Sequence, residues 1–209
     1  MSRVAAILLA AGESRRMGGA NKLELDIHGV PLLRRAAQTL LASRLQHVIA
    51  VLGHAADRIR PLLEDLPLEV VVNEAYREGQ MTSVYKGLES LSGPCDGIMI
   101  CLSDQPLLEP ADIDRLIDSF AGRGRGCVLV PTYRGRRGNP IVLAYRHREK
   151  ILNGNRNLGC KRFLQENPDL VTTVAMDTDH VVVDLDTRQD YLAFREMQGK
   201  GNERAMRKT

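Results

Sequence analysis

A chain of 209 residues, 44% hydrophobic and 26% charged, with no Trp and a formal net charge of +3, has the composition of one globular domain able to bury a substantial core. No apolar run is long enough to span a bilayer and the N-terminus lacks an export-signal pattern, so the expectation is a cytoplasmic protein without membrane contact. The modest charge is not the clustered Lys/Arg footprint of a nucleic-acid binder, and Cys95, Cys101, Cys127 and Cys160 have no zinc-ligand spacing and read as buried thiols.

Val4 to Leu9 is a continuous apolar run that predicts a buried strand. It breaks into Leu9-Ala10-Ala11-Gly12-Glu13-Ser14-Arg15-Arg16-Met17-Gly18-Gly19-Ala20-Asn21-Lys22-Leu23. Small residues, glycines able to adopt positive φ, and cations are what a backbone cradle for phosphate requires. A P-loop would need G-x-x-x-x-G-K-[ST], but Lys22 is followed by Leu23. A dinucleotide fold would need an acidic residue after the second strand, where this chain has Gly53 and His54.

Pro31 precedes Leu32, Leu33, Ala36, Ala37, Leu40 and Leu41, a helical period that predicts an amphipathic helix. His47 to Leu52 reads as a strand, Ala56 to Leu63 as a short helix and Leu68 to Val72 as a strand. This alternation predicts a mostly parallel sheet. A polar loop from Asn73 through Gly79 to Thr82 and Ser83 enters a helix carrying Val84, Leu88 and Leu91; the hydroxyls suit either capping or a ligand. Gly97 to Leu102 is an apolar strand delivering Ser103-Asp104-Gln105-Pro106 at its carboxyl end, where ligands of open α/β sheets collect.

Pro110 to Phe120 reads as a helix, and a Gly/Arg turn spans Gly122 to Gly126. Cys127 to Pro131 and Asn139 to Ala144 predict an antiparallel hairpin around a basic turn, Tyr133 to Gly138. Arg156, Lys161 and Arg162 could hold an anion or simply face solvent. Leu170 to Ala175 and His180 to Val183 read as the last strands, before Asp184-Leu185-Asp186-Thr187 and a helix through Tyr191 and Phe194. From Gln198 the composition predicts a disordered basic tail, giving one domain over 1–197 and a tail over 198–209.

The first loop, the Gly79 to Ser83 stretch, Ser103-Asp104-Gln105-Pro106, Gly138-Asn139-Pro140 and Asp184-Leu185-Asp186-Thr187 occur in the order found in nucleotidyltransferases with the L-x-x-G-x-S-x-R-M-G…K signature. The chain resembles these enzymes up to about Met197, most closely the molybdenum-cofactor cytidylyltransferases. The resemblance implies a Rossmann-like three-layer α/β sandwich of the nucleotide-diphospho-sugar transferase type, its mostly parallel sheet carrying a short antiparallel hairpin. It implies that CMP passes from CTP to the phosphate of molybdopterin or molybdenum cofactor with release of pyrophosphate. Magnesium is the implied cofactor, held by Asp104 with Asp184 or Asp186, and Arg16, Lys22 and Asp104 are the implied catalytic groups.

The implied nucleotide contacts are Leu9, Ala10, Ala11, Gly12, Ser14, Arg15, Arg16, Met17, Gly18, Gly19, Lys22, Asn73, Gly79, Thr82 and Ser83. The implied acceptor contacts are Gln105, Gly138, Asn139, Pro140, Asn157 and Lys161. This chain has no Asp where relatives carry G-D-x-G-A-R, which leaves the acceptor open. A monomer or weak homodimer, with a client molybdoenzyme as partner, completes the expectation. The alternatives are guanylyl transfer, a sugar-phosphate or methylerythritol phosphate acceptor, and a non-catalytic cofactor chaperone. A nicotinamide-dependent oxidoreductase is disfavoured by Gly53 and His54.

Overall fold

The computed structural model describes residues 2–122, 127–153 and 164–206, with side chains as far as 198. At its centre is β1 (Val4–Ala10), every residue of which is buried. Parallel neighbours flank it on both sides: β4 (His47–Leu52) pairs along one edge and β6 (Gly97–Leu102) along the other. A strand covered on both faces can be apolar throughout, which is why Val4 to Ala10 shows no alternation in the sequence.

The alternation is in the packing instead. Val4, Ala6, Leu8 and Ala10 enter one core layer with Leu33, Ala37 and Leu40 of α1 (Leu32–Leu41) and Ile113, Leu116 and Phe120 of α4 (Pro110–Ala121). Ala5, Ile7 and Leu9 enter the other, with Met81, Val84 and Leu88 of α3 (Gln80–Ser90) and Ile151 of α5 (Arg148–Leu152). The short α2 (Ala56–Ile59) adds Ile59 to the first layer. These layers form the three-layer α/β sandwich expected from the alternating elements.

Among the described residues the main sheet has eight strands. Its order is β10-β7-β9-β6-β1-β4-β5, with β8 paired to β7. The outer strands are β5 (Glu69–Val72), β7 (Val128–Tyr133), β8 (Arg136–Arg137), β9 (Ile141–Ala144) and β10 (Val171–Ala175). The chain crosses from β6 through α4 to β7 and returns as β9, which runs antiparallel to both β6 and β7 and fills the gap between them. The expected hairpin is therefore built into the sheet rather than appended to its edge. A separate small hairpin, β2 (Asp26–Ile27) with β3 (Val30–Pro31), receives the last helix, α6 (Arg188–Met206), through Ile27, Leu185 and Phe194. No helix among the described residues is long and apolar enough to cross a membrane.

One sequence expectation is corrected. His180 to Val183 reads as a strand because of its β-branched run, but His180–Val182 is a 3-10 turn. Val181 is driven into the core and its carbonyl accepts hydrogen bonds from the Asn139 backbone N–H and the Gln105 side chain, so no partner strand is needed. The backbone of α6 runs to Met206.

Gly87 lets α3 lie directly on β1: a Cβ there would overlap Ile7 Cγ2. Gly87→Ala should therefore lower the urea midpoint of unfolding. Overpacking of about 1–3 kcal/mol opposes a helix-propensity gain of about 1 kcal/mol, and a raised midpoint would mean that Ile7 yields without cost.

Candidate active site

Because β4, β1 and β6 are parallel neighbours, their carboxyl ends open onto one edge of the sheet, and the segments that follow share a cleft. After β1 the chain turns through Ser14 in a left-handed conformation (φ 53°). Ser14 Oγ accepts a hydrogen bond from the Lys22 backbone N–H at 3.1 Å, tying the start of the loop to its end. Asn21 Oδ1 accepts from Leu23 N at 3.1 Å, and Met17 and Leu23 are buried as anchors beneath. Gly18 and Gly19 use positive φ (67° and 96°), as the cradle expectation requires, whereas Gly12 does not.

The loop's cations meet carboxylates from the other side of the cleft. Lys22 Nζ lies 2.6 Å from Asp104 Oδ2 and 3.5 Å from Asp186 Oδ1, and Arg16 Nη2 is 2.9 Å from the same Asp186 oxygen. Arg15 instead pairs with Glu13 at 2.6 Å and is largely exposed. Asp104 follows β6 after one residue, Ser103. Its backbone carbonyl accepts from Leu185 N at 2.9 Å, and Leu185 is buried, so Asp184 and Asp186 flank an anchored residue on an extended segment.

These carboxylates are unequally satisfied. Asp104 Oδ1 is buried with no hydrogen-bond partner. Partial desolvation, then repulsion from Asp104 and Asp186, hold the Asp184 carboxyl above the usual carboxylate range. Among the described residues no three Asp, Glu, His or Cys side chains make a ready-built cation cage. An orphaned carboxylate oxygen beside a strained carboxyl still fits Mg²⁺, which typically takes one or two carboxylates and completes its shell with phosphates and water.

Two cavities open along this edge. The first, about 240 Å³, is lined by Ala11, Gly12, Lys22, Asp104, Tyr76, Gln80 and Ser83 among others. Asn73 is buried and shapes its wall: its Nδ2 donates to Thr82 Oγ1 at 2.8 Å and to Ser83 Oγ at 3.0 Å. Thr82 Oγ1 in turn bonds the loop carbonyls of Ala75 and Gly79, so it is the Ser83 hydroxyl that faces the cavity. Gly79 starts α3 at φ 120°. The second cavity, about 390 Å³, shares Leu9, Gln80 and Leu102 with the first and is lined mainly by apolar side chains, with Arg137, Gly138 and Asn139 at its polar side.

The structure thus brings together Leu9, Ala11, Gly12, Lys22, Ser83 and Asp104 at the first cavity and Gly138 and Asn139 at the second. Ala10 and Met17 turn their side chains into the packing, and Pro140 is buried after a cis peptide bond. Gln105, expected on the acceptor side, lines neither cleft cavity. Its Nε2 donates to the Val181 carbonyl at 3.0 Å, and it lines a small void against Leu8 and Leu40. Asn157 and Lys161 lie outside the described residues. Tyr76, Gln80 and Arg137 were missed; the first two belong to the polar loop after a parallel strand, which is the signal that could have found them.

Residues 6–171 match the family model described as a MobA-like NTP transferase domain. Nicotine blue oxidoreductase of Paenarthrobacter nicotinovorans is 29% identical over 192 residues, 88% of this chain and 92% of that protein. A probable molybdenum cofactor guanylyltransferase of Natronomonas pharaonis is 30% identical over 112 residues, and the match spans 54% of this chain and 54% of that protein. Among solved structures, Rv0371c of Mycobacterium tuberculosis H37Rv shares the fold, with a TM-score of 0.81 at 24% identity over 93% of this chain and 98% of that one. Its complex with manganese aligns with a TM-score of 0.74 at 23% identity, over 92% of this chain and 97% of that one.

Lys22 neutralises part-buried carboxylates, so its removal strands them. Lys22→Gln should destabilise the protein by about 1–3 kcal/mol, and Asp104→Asn in that background should restore part of the loss; additive effects in the double-mutant cycle would contradict the coupling. A carboxyl whose folded pKa is raised contributes stability that is lost as pH rises from its ordinary range through the folded value. Asp184→Asn should therefore stabilise the unliganded protein at neutral pH and flatten its pH dependence over that window, as measured by thermal midpoints from pH 4 to 7.

Proposed function

The chain belongs to the MobA-like NTP transferase family, and from that membership we propose that it is a cytoplasmic, magnesium-dependent nucleotidyltransferase that moves CMP from CTP to the phosphate of molybdopterin or molybdenum cofactor. The observation that carries this reading is the meeting of Lys22 and Arg16 with Asp104 and Asp186 across one cleft at the ends of β1 and β6. A triphosphate needs cations on one side and metal-holding carboxylates on the other, and few other substrates need both.

In this proposal an oxygen of the acceptor phosphate attacks the α-phosphorus, the α–β phosphoanhydride bond breaks, and pyrophosphate leaves with the electron pair. A phosphate monoester has a second pKa of about 6, so the nucleophile is already ionised at neutral pH and no catalytic base is required. The backbone from Ala11 to Gly19 holds the β- and γ-phosphates, and Lys22 and Arg16 neutralise the charge that builds on the α-phosphate and the leaving group. Asp104 and Asp184 are the residues that would hold Mg²⁺: the first has a free buried oxygen and the second a carboxyl strained by repulsion, while Asp186 is already committed to Arg16 and Lys22. Bound there, the ion would neutralise phosphate charge and help align the displacement.

Two further features support the substrates named. The Ala11 methyl lies at the first cavity, where it narrows the space for a purine. The apolar second cavity suits a flat ring system better than a sugar, whose hydroxyls would lose their hydrogen bonds there. The oxidoreductase named among the relatives favours a second reading, an oxidoreductase, although Gly53 and His54 follow β4 where a nicotinamide enzyme carries an acidic residue.

Pyrophosphate release from each of the four nucleoside triphosphates, with molybdopterin or a sugar phosphate as acceptor, tests the reading. CTP with molybdopterin should be the productive pair, and Asp104→Asn, Asp184→Asn and Lys22→Gln should each lower turnover on the order of 100-fold or more. Turnover with GTP would correct the base, turnover with a sugar phosphate would correct the acceptor, and dye reduction by NADH or NADPH without pyrophosphate release would overturn the transferase reading.

A further inference from the structure

The first cavity changes character along the sheet edge. The strand order β6-β1-β4 puts Lys22 and Asp104 beyond the ends of β6 and β1, and Tyr76 beyond the end of β4, where its Cβ would lie 2.8 Å from a Cβ built on Gly53. At about 4.8 Å between strands, the ends of β6 and β4 are about 10 Å apart. The lining also carries Tyr76, Gln80 and Ser83, none of which has a full charge. A nucleoside triphosphate has the same polarity and a similar reach: phosphates at one end, a ring at the other.

Tyr76 is held before any ligand arrives. The Arg77 guanidinium sits over its ring at 5.5 Å from the centroid, and the His54 ring packs against it at 6.0 Å with a 59° tilt. Gly53 permits the arrangement, because a Cβ there would also fall 2.7 Å from the Ala11 Cβ. Ala11 and Tyr76 therefore close on each other across a residue with no side chain. Both residues line the first cavity.

Resting on the nucleotidyl-transfer reading, we propose that Tyr76 is the wall of the nucleobase subsite, packing against the ring of a pyrimidine nucleotide and, with Ala11, limiting the size of base admitted. The ring supplies a flat apolar surface at low entropic cost, while the Ser83 hydroxyl and Gln80 amide offer hydrogen bonds to the base or ribose. Phosphate binding is left to the other end of the cavity. Tyr76 thus contributes to nucleoside affinity and to base choice but not to affinity for phosphate chains.

Calorimetric titration of the full chain with CTP, GTP and inorganic tripolyphosphate, each with Mg²⁺, separates these contributions. Tyr76→Ala should weaken CTP binding about tenfold or more, the range typical of a lost base–aromatic contact, while tripolyphosphate binding stays unchanged. Tyr76→Leu, which keeps bulk but not the flat face, should lose most of the same affinity, and Tyr76→Phe should retain it. Equal weakening of CTP and tripolyphosphate would overturn the proposal by showing a general loss of loop structure, and loss in Tyr76→Phe would overturn the packing role. Unchanged CTP affinity in all three variants would sink the assignment of Tyr76 while leaving nucleotidyl transfer standing. Absence of nucleotide binding in the unaltered protein would sink both.

Discussion

The structure depends on an ion pair formed between the two loops that leave adjacent parallel strands. β1 delivers Lys22 by way of a glycine-containing loop and β6 delivers Asp104 after one residue, Ser103, and their charged atoms meet at 2.6 Å with both side chains mostly buried. Desolvation penalises an isolated buried ion more heavily than a paired one, so each charge offsets the cost of burying the other. Pairing permits a third and fourth charge nearby: Asp186 is neutralised by Lys22 and Arg16 together, and Asp184 is left in surplus. The cleft is thus poised for a ligand that brings its own cations and anions, since these can replace the internal partners on both sides.

A second constraint fixes the distance between this charged cluster and the apolar cavity beside it. The Val181 carbonyl accepts from the Asn139 backbone N–H at 2.9 Å and from Gln105 Nε2 at 3.0 Å, and any side chain on Gly138 would collide with it. One oxygen atom therefore joins the segment after β6, the β7–β9 hairpin and the turn leading to Asp184 and Asp186. Leu185 N adds a bond to the Asp104 carbonyl. Three loops that would otherwise move independently are held in register, as catalysis by positioning requires.

Much of the fold was legible because parallel strands buried on both faces appear as uninterrupted apolar runs, and Val4 to Leu9, His47 to Leu52 and Gly97 to Leu102 are such runs. The residues that follow them were legible for the same reason, since a strand end fixes where the next side chains emerge. What could not be read was direction and partnership. Gln105 follows Asp104 immediately yet turns to the opposite side of the sheet, and Asp186 takes the cations while Asp184 does not. Val181 to Val183 has the composition of a strand, but the hydrogen-bonding partners of a residue are set by tertiary neighbours rather than by its own propensity. The polar loop after a parallel strand marked the neighbourhood of Tyr76 but not the residue, because its placement comes from space left by Gly53 in a different segment.

The most direct measurement is a crystal structure with a non-hydrolysable CTP analogue and Mn²⁺, the ion located by anomalous scattering. If cations and carboxylates grip one triphosphate from opposite sides, the ion will lie on Asp104 and touch the phosphates, with Lys22 transferred from the carboxylate to the phosphate chain. A nucleotide bound elsewhere, with the Lys22–Asp104 pair intact and no ion beside it, would contradict that arrangement.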